Sequence, residues 1–515
     1  MPKALLVVQA FPPLLKNAGG VAKRYLTLCR ALIDGLGWSV TLLTPVDVTV
    51  SGEPDVDRWL AQGSLTHLPA RGVRLQSVDG VLVILDLFSF INTGHILKTL
   101  FVQGGFDAVF ADDVPWRGVL LLLARAAGVP TIVTSHTDAT HLKSYKQASS
   151  LRMVWWIHMW SAYLATTHAS VSKVFGDQMA KSYHVPVNGI WPPILWSKDF
   201  RAPPEEFADR AAAQRAAWLA ALAEQGFVGT PRAILLFAGR WSPEKRIHLL
   251  LDAVPDGCAL VIVGDGTAEY AVSIAAAGPS AGRVQVLPQR KMLNACELRT
   301  AYAAADVFLS ASNFETLGNT VIESWCAGTP VAVQPAQGHL EFVQDGINSW
   351  FVDYDLPPAE VKAALDAVVR AGKDSLTGLE ATGTKLRTSN FARNFDEAII
   401  SPALVRHSSW FATNKFLQLP LRAMSFIVWL YVWIFLRIFN RSFYMISSNP
   451  KFEVLEKLGG CMETRRKSET TPPPVPPHLT SPPATERTSV EGPTGFNEMF
   501  RNVKVARKSF GVVRP

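Results

Sequence analysis

Two glutamates carry the first sign of chemistry. Glu315 and Glu323 stand eight positions apart in "NFETLGNTVIE", after the apolar run "ADVFLSAS" and before a helix-like run. A buried strand that ends in a loop and turns into a helix brings that loop and the helix start to one crevice. If Asn319 or Thr320 begins the helix, Glu323 falls in its first turn and Glu315 in the loop before it. Backbone N–H groups near Thr316, Leu317, Gly318 and Asn319 then face the same space, and free N–H groups at a helix start suit a phosphate. A carboxylate beside them can accept hydrogen bonds from sugar or ribose hydroxyls. In isolation the pair also reads as one glutamate favouring the helix dipole beside a solvated one.

Other stretches have matching chemistry. "GRWSPEKR" follows the strand-like "AILLFA" and offers Gly239, Arg240 and Lys245, with Pro243 and Glu244 opening a helix. A glycine turn, two cations and a helix start suit a diphosphate, although a solvated loop would look similar. "IVGDG" ends a strand at Gly264 and Gly266, where a ligand is expected to approach the backbone closely. "KNAGGVAKR" carries Gly19 and Gly20 at the start of the first long helix, a second candidate phosphate loop. His136, in "VTSHTDATH", stands at a strand end and is expected to face a ligand. Asp112 and Asp113 are adjacent and read as the end of a strand and a loop.

The elements that must position these groups are legible as alternating runs. "KALLVVQ", "WSVTLLTP", "DAVFAD" and "PTIVTSH" are near-continuous apolar segments separated by helical patterns, as in a parallel sheet buried on both faces. They predict a doubly wound α/β domain over 1–195. "PPEEFADRAAAQRAAWLAALAEQ" predicts a helix, taken as an interdomain segment over 196–230. The alternation restarts with "AILLFAG", "ALVIVGDG", "RVQVL", "DVFLSA", "PVAVQ" and "SWFVDY", predicting a second doubly wound domain over 231–385. Ligands of open α/β sheets bind at the carboxyl ends of the strands, so two such domains make a cleft there.

Composition narrows the class. The chain has 515 residues, 48% hydrophobic and 18% charged, enough for two or three domains and incompatible with a mainly disordered protein. A net charge of +7, with much of the excess in the last hundred residues, suggests no nucleic-acid face. The five cysteines, Cys29, Cys258, Cys296, Cys326 and Cys461, show no metal-ligand spacing and predict reduced thiols. "MPKALLVVQA" has no secretory or transit pattern. "FLQLPLRAMSFIVWLYVWIFLRIF", 416–439, has 14 uncharged residues between Arg422 and Arg437, fewer than the roughly 20 a bilayer crossing needs. With snorkelling arginines it spans; otherwise it lies in the interface, and it is expected to meet a membrane in either form. The Pro/Ser/Thr-rich 440–515 is expected to be disordered.

Together these motifs resemble the retaining nucleotide-sugar glycosyltransferases of the two-Rossmann-domain GT-B type, group 1 or family 4. The strongest block is "LSASNFETLGNTVIESWCAGTPVAVQPAQGHLEFV", whose Glu315 and Glu323 match the family's paired glutamates. "GRWSPEKR" and "VGDG" precede it in the family order. "ETLG", "TSHTD" and "IWPPILWSKDF" look most like the sulfoquinovosyltransferase branch, which builds a sulfolipid on diacylglycerol. Two features depart from the usual pattern: "GHLEF" stands for Gly-Gly-Ile/Val-Pro-Glu and "WPP" for a Gly-Val-Asp turn.

The resemblance implies that Arg240 and Lys245 bind the donor diphosphate and that Glu323 binds the ribose. Glu315 would contact the sugar hydroxyls, with the backbone of Thr316, Leu317 and Gly318 beside it. Gly19 and Gly20 would let the N-domain loop approach the diphosphate, and His136 would touch the sugar near the reacting carbon. It implies front-face displacement with retention, a nucleotide-sugar donor (a UDP-sugar favoured), and neither metal nor cofactor. A segment over 386–412 would return to the first domain. The 416–439 element and the aromatic stretch "RMVWWIHMWSAYLATTH" favour a lipid acceptor, with the catalytic domains on the cytosolic or plastid-stromal side of a membrane. Mannosyl or glucosyl transfer to another lipid or glycan is the alternative. An inactive GT-B scaffold and a GT-B epimerase fit less well.

Overall fold

The computed structural model describes residues 1–8, 11, 20–44, 48, 53–69, 73–76, 82–85, 105–112, 117–136, 162, 164–193, 195, 197–266, 273–274, 276, 278, 282–413, 423, 427 and 430. The first sheet has seven parallel strands in the order β3-β2-β1-β6-β7-β8-β9. They are β1 (Lys3–Val7), β2 (Ser39–Thr44), β3 (Leu65–Pro69), β6 (Ala108–Asp112), β7 (Thr131–Ser135), β8 (Thr167–Ser170) and β9 (Gly189–Ile190); β4 (Val73–Gln76) and β5 (Leu82–Leu85) form a separate antiparallel pair. The second sheet has six parallel strands, β12-β11-β10-β13-β14-β15. They are β10 (Ile234–Ala238), β11 (Ala259–Gly264), β12 (Val286–Arg290), β13 (Val307–Ser310), β14 (Val331–Val333) and β15 (Trp350–Phe351).

Why the strands read as unbroken apolar runs is visible in where their residues go. In β1, Ala4 and Leu6 enter one core while Leu5 and Val7 enter another on the opposite face. In β10, Ile234, Leu236 and Ala238 face one core and Leu235 and Phe237 the other. Side chains alternate across a strand, so a sheet covered on both faces demands apolar residues at every position. Each sheet is thus doubly wound, and the chain has two Rossmann-like domains.

Helices relevant to the cleft are α1 (Gly20–Arg30), α2 (Lys173–Tyr183), α3 (Ala208–Glu224), α4 (Ala295–Ala304), α5 (Asn319–Cys326), α6 (Gln337–Phe342), α7 (Phe391–Phe395) and α8 (Ser401–Thr413). The helix expected to be interdomain, α3, packs instead into the second domain: its Ala211, Trp218 and Leu222 share a core with Ile234 and Leu236. Apolar residues on one stripe of an Ala-rich helix must find a core, and the second sheet supplies it. Phe391, Phe395, Ile399 and Ala403, which follow the second domain in the sequence, join the core of the first sheet.

Cys29, Cys258 and Cys326 are buried free thiols and Cys296 is partly buried; Cys461 lies outside the described residues. No group of metal-ligating side chains exists among the described residues. Among those residues no helix is long and apolar enough to cross a membrane. Of 416–439, only Ala423, Ile427 and Leu430 are described, as helical and exposed. The rest of that segment, the tail, Asp113, Gly19 and most of the aromatic stretch also lie outside the described residues. Thr167 and His168, at the end of that stretch, belong to β8.

Candidate functional site

The strand order creates the site. In the second sheet the order reverses between β10 and β13, which pair directly. Loops leaving the two strands at such a switch point run in opposite directions and leave a crevice. "GRWSPEK" leaves β10 and "NFETLG" leaves β13, so the reversal sets Lys245 against Glu315, although 70 residues separate them. The Lys245 ammonium donates to Glu315 Oε1, and both side chains are mostly buried. Burial alone would raise the Glu315 carboxyl; Lys245 and His339 outweigh it and hold the group below the ordinary carboxylate range.

Arg240 donates to Glu244 Oε1 at 2.8 Å, and the Ser242 hydroxyl donates to the same oxygen at 2.6 Å. Burial works against the Glu244 charge, but Arg240 and Ser242 together keep its carboxyl low. The two cations of this loop are therefore each held by a carboxylate. Gly264 and Gly266 are required by the protein's own packing. A Cβ on Gly264 would lie 1.8 Å from the Gly239 carbonyl oxygen, and one on Gly266 1.9 Å from that of Trp241. Here the close approach is made by the protein's own backbone: Trp241 N–H donates to Asp265 O at 2.8 Å, locking the two loops together.

α5 begins at Asn319, as the sequence suggests. Gly318 precedes it at φ 83°, ψ 59°, a left-handed conformation that glycine adopts without strain. Glu323 is the fifth residue of this helix, just beyond the first turn in which it is expected from the sequence, because one turn holds only about 3.6 residues. There it is 5% exposed and accepts a hydrogen bond from Tyr302 OH at 3.2 Å. Burial and the neighbouring Glu323 push the Tyr302 phenol well above its usual value, so it stays a donor. α6 lies against the same loop: Gly338 N–H donates to Glu315 O at 2.7 Å. His339 donates from Nδ1 to the Gln334 carbonyl at 2.9 Å, and its Nε2 is buried with no hydrogen-bond partner among the described residues. The ring edge sits where a Cβ on Gly318 would fall, 3.0 Å from Cδ2.

The first domain reaches this loop from the other side. Thr316 Oγ1 donates to the His136 carbonyl at 2.9 Å, and Ser172 Oγ donates to the Thr316 carbonyl. α6 also meets α2: Glu341 accepts from Val174 N at 3.1 Å, at the N-terminus of α2, where a carboxylate suits the helix dipole. The loop from Glu315 to Asn319 is thus held by both domains.

His136 follows β7 and is only 6% exposed. Its Nε2 lies 3.0 Å from both Thr134 Oγ1 and Tyr25 OH, and its Nδ1 lies 3.3 Å from Arg24 Nη1. A guanidinium has no acceptor, so Nδ1 must be the unprotonated nitrogen, and Nε2–H donates to the hydroxyls. Trp191, from the "WPP" stretch, packs edge-on to His136 at 5.4 Å and to Phe395 at 4.8 Å, tying this wall to the returning chain. Gly20 opens α1, the helix that carries Lys23, Arg24 and Tyr25 into the cleft. Burial lowers the Lys23 ammonium, partly offset by Glu323 and Glu53. Sequence reasoning misses Lys23, Arg24, Tyr302 and His339; the glycine pair before α1 and the "GHLEF" departure are the signals that point toward them.

Two family models match the chain. The "Glycosyl transferase 4-like domain" matches residues 19–190 and "Glycosyl transferases group 1" matches residues 232–371. Among curated relatives, a GDP-mannose-dependent alpha-mannosyltransferase of Mycolicibacterium smegmatis is 27% identical over 373 residues, 68% of this chain and 85% of that protein. Alpha-monoglucosyldiacylglycerol synthase of Acholeplasma laidlawii is 23% identical over 360 residues, 67% of this chain and 83% of that protein. A lipopolysaccharide core biosynthesis glycosyltransferase of Rhizobium meliloti is 31% identical over 163 residues, 31% of this chain and 46% of that protein. Among solved structures, Anabaena Alr3699/HepE in complex with UDP is 16% identical with a TM-score of 0.50, covering 78% of this chain and 99% of that one.

Proposed function

Because the chain is a GT-B glycosyltransferase, we propose that it transfers a hexosyl group, with retention, from a nucleotide sugar to a lipid acceptor at a membrane surface. The donor is a UDP-sugar in this reading, with UDP-sulfoquinovose as the sugar donor and diacylglycerol as the acceptor. One observation carries it: the strand-order reversal sets Lys245 of the loop after β10 against Glu315 of the loop after β13, with His136 of the first domain bonded to that second loop.

In the reaction, the acceptor hydroxyl oxygen bonds to the anomeric carbon. The bond from that carbon to the diphosphate oxygen breaks on the same face, and the acceptor proton passes to the departing diphosphate. Arg240 and Lys245 offset the charge growing on that leaving group. Glu323 holds the ribose hydroxyls and Glu315 the sugar hydroxyls. The N–H groups from Thr316 through Gly318 and that of Gly20 sit beside the diphosphate in this reading. His136 acts as a neutral imidazole near the reacting carbon. The step uses no metal and no cofactor.

A lipid acceptor is supported by the relative named as a monoglucosyldiacylglycerol synthase. It is supported also by Ile427 and Leu430, apolar helical residues that are 64% and 39% exposed. The relatives named GDP-mannose-dependent alpha-mannosyltransferases favour a second reading, mannosyl transfer from GDP-mannose. Membranes carrying the protein, incubated with diacylglycerol and labelled UDP-sulfoquinovose, UDP-glucose or GDP-mannose, test both. Labelled lipid from the first donor is the expected result, label from GDP-mannose alone selects the second reading, and none from any donor rejects a diacylglycerol acceptor.

A further inference from the structure

Among the described residues, no carboxylate holds the buried cation Arg24. It is 5% exposed, and its guanidinium meets two neutral acceptors: His136 Nδ1 at 3.3 Å and Asn319 Oδ1 at 3.2 Å. No carboxylate lies within ion-pair distance of it among the described residues. Burial pulls the guanidinium down to about 10, so it remains charged at neutral pH. Withdrawing a cation from water is costly unless an anion offsets the loss. Two amide and imidazole lone pairs do so poorly.

The position of this charge is informative. Arg24 spans the cleft, from α1 of the first domain to the first residue of α5 in the second. The carboxylate acting on it is Glu315, which is already committed to Lys245. Glu323 acts instead on the preceding residue, Lys23. Neighbouring residues of α1 are thus sorted, Lys23 toward the ribose-side glutamate and Arg24 toward the sugar-side glutamate. A second deeply buried guanidinium, Arg299, makes a useful contrast. Its charge lies over the face of Phe207 at 5.0 Å and it donates to the Ala202 carbonyl, so its surroundings are a core, not a cleft.

We propose that Arg24 is a specificity-determining residue that receives an anionic substituent, a sulfonate or a carboxylate, on the transferred sugar beside His136. This rests on the nucleotide-sugar reading above and sharpens it. Arg240 and Lys245 serve the diphosphate, and Arg24 serves the sugar. The planar fork of a guanidinium matches two oxygens of such a group, and the incoming anion takes the place of the Asn319 amide on Nη2.

Equilibrium titration of the full chain with UDP, UDP-glucose, UDP-glucuronate and UDP-sulfoquinovose tests the assignment without depending on the acceptor. The wild-type protein should bind the two anionic-sugar donors more tightly than UDP-glucose. Arg24→Gln should weaken those two by about 10- to 100-fold while UDP and UDP-glucose change less than about 3-fold. Arg24→Lys, which keeps the charge and loses the fork, should fall between, and unchanged UDP binding certifies that both variants are folded. Parallel loss of UDP and UDP-glucose would assign Arg24 to the diphosphate or to the fold and overturn the proposal, as would a wild-type protein indifferent to the sugar's charge. If only guanosine donors bind, the uridine reading fails by itself, and GDP-mannose against GDP-mannuronate becomes the deciding pair for Arg24.

Discussion

The two walls of the cleft treat their charged groups in opposite ways. On the second domain, Lys245 pairs with Glu315 and Arg240 with Glu244, while Glu323 takes a phenolic hydrogen bond from Tyr302. On the first domain, Arg24 leans on an imidazole and an amide. The first arrangement pairs each cation with a carboxylate, so it is compensated when empty and holds the cations in place for the diphosphate of the proposed reaction. The second is poorly compensated when empty, so an anionic ligand has most to gain there. A site that binds and releases a charged donor profits from both, since only the uncompensated charge discriminates strongly between ligands.

The comparison breaks most sharply at Lys245. Lys245→Ala removes a cation from the leaving group and leaves Glu315 buried without its partner. Donor kcat/KM should fall about 100- to 1,000-fold, and urea unfolding should show a loss of about 1–3 kcal/mol. Turnover at the wild-type rate would remove Lys245 from the site. Glu323→Gln should cost donor kcat/KM about 10- to 100-fold, since an amide oxygen accepts ribose hydroxyls less strongly than a carboxylate. Stability should move by roughly 1 kcal/mol or less, because the amide oxygen still accepts from Tyr302.

A backbone test follows. Gly318→Ala forces a side chain into φ 83° and against the His339 ring, and should destabilise by about 1–2 kcal/mol. Part of that cost should vanish in a His339→Ala background, where the contact is gone; a fully additive double mutant would show that the ring plays no part. The smallest effect is in pH. Glu315 is held below the ordinary carboxylate range, so the folded state prefers its charged form. That stabilisation is complete above the unfolded value, about 4.3, and is lost as pH falls through the lower folded value. Melting temperatures recorded below about pH 5 should decline less steeply in Lys245→Met than in the wild type.

Much of this architecture is legible in the amino-acid sequence. The strands stand out because a doubly covered sheet needs apolar residues at every position, as in "KALLV" and "ILLFA". The paired glutamates and the "GRWSPEKR" loop stand out because their chemistry is compressed into short stretches. Shorter elements escape: β8, "THAS", carries no apolar run, and its residues are buried by neighbours rather than by their own character. The glycines of "VGDG" are visible, but not that Gly239 and Trp241 are what crowd them.

The sequence by itself determined two α/β domains, their strand-end loops and which charged residues stand at those strand ends, because local pattern and local chemistry coincide there. Only the tertiary structure decided which charges are neutralised. Lys245 meets Glu315 across 70 residues because the sheet reverses between β10 and β13. Arg24 meets Asn319 across 295 residues because the two domains close on one loop. Nothing local distinguishes Arg24 from Lys23 or Arg30 on the same helix. Their difference is a matter of which face of α1 points into the cleft and what stands opposite, and that is fixed by packing between residues far apart in the chain.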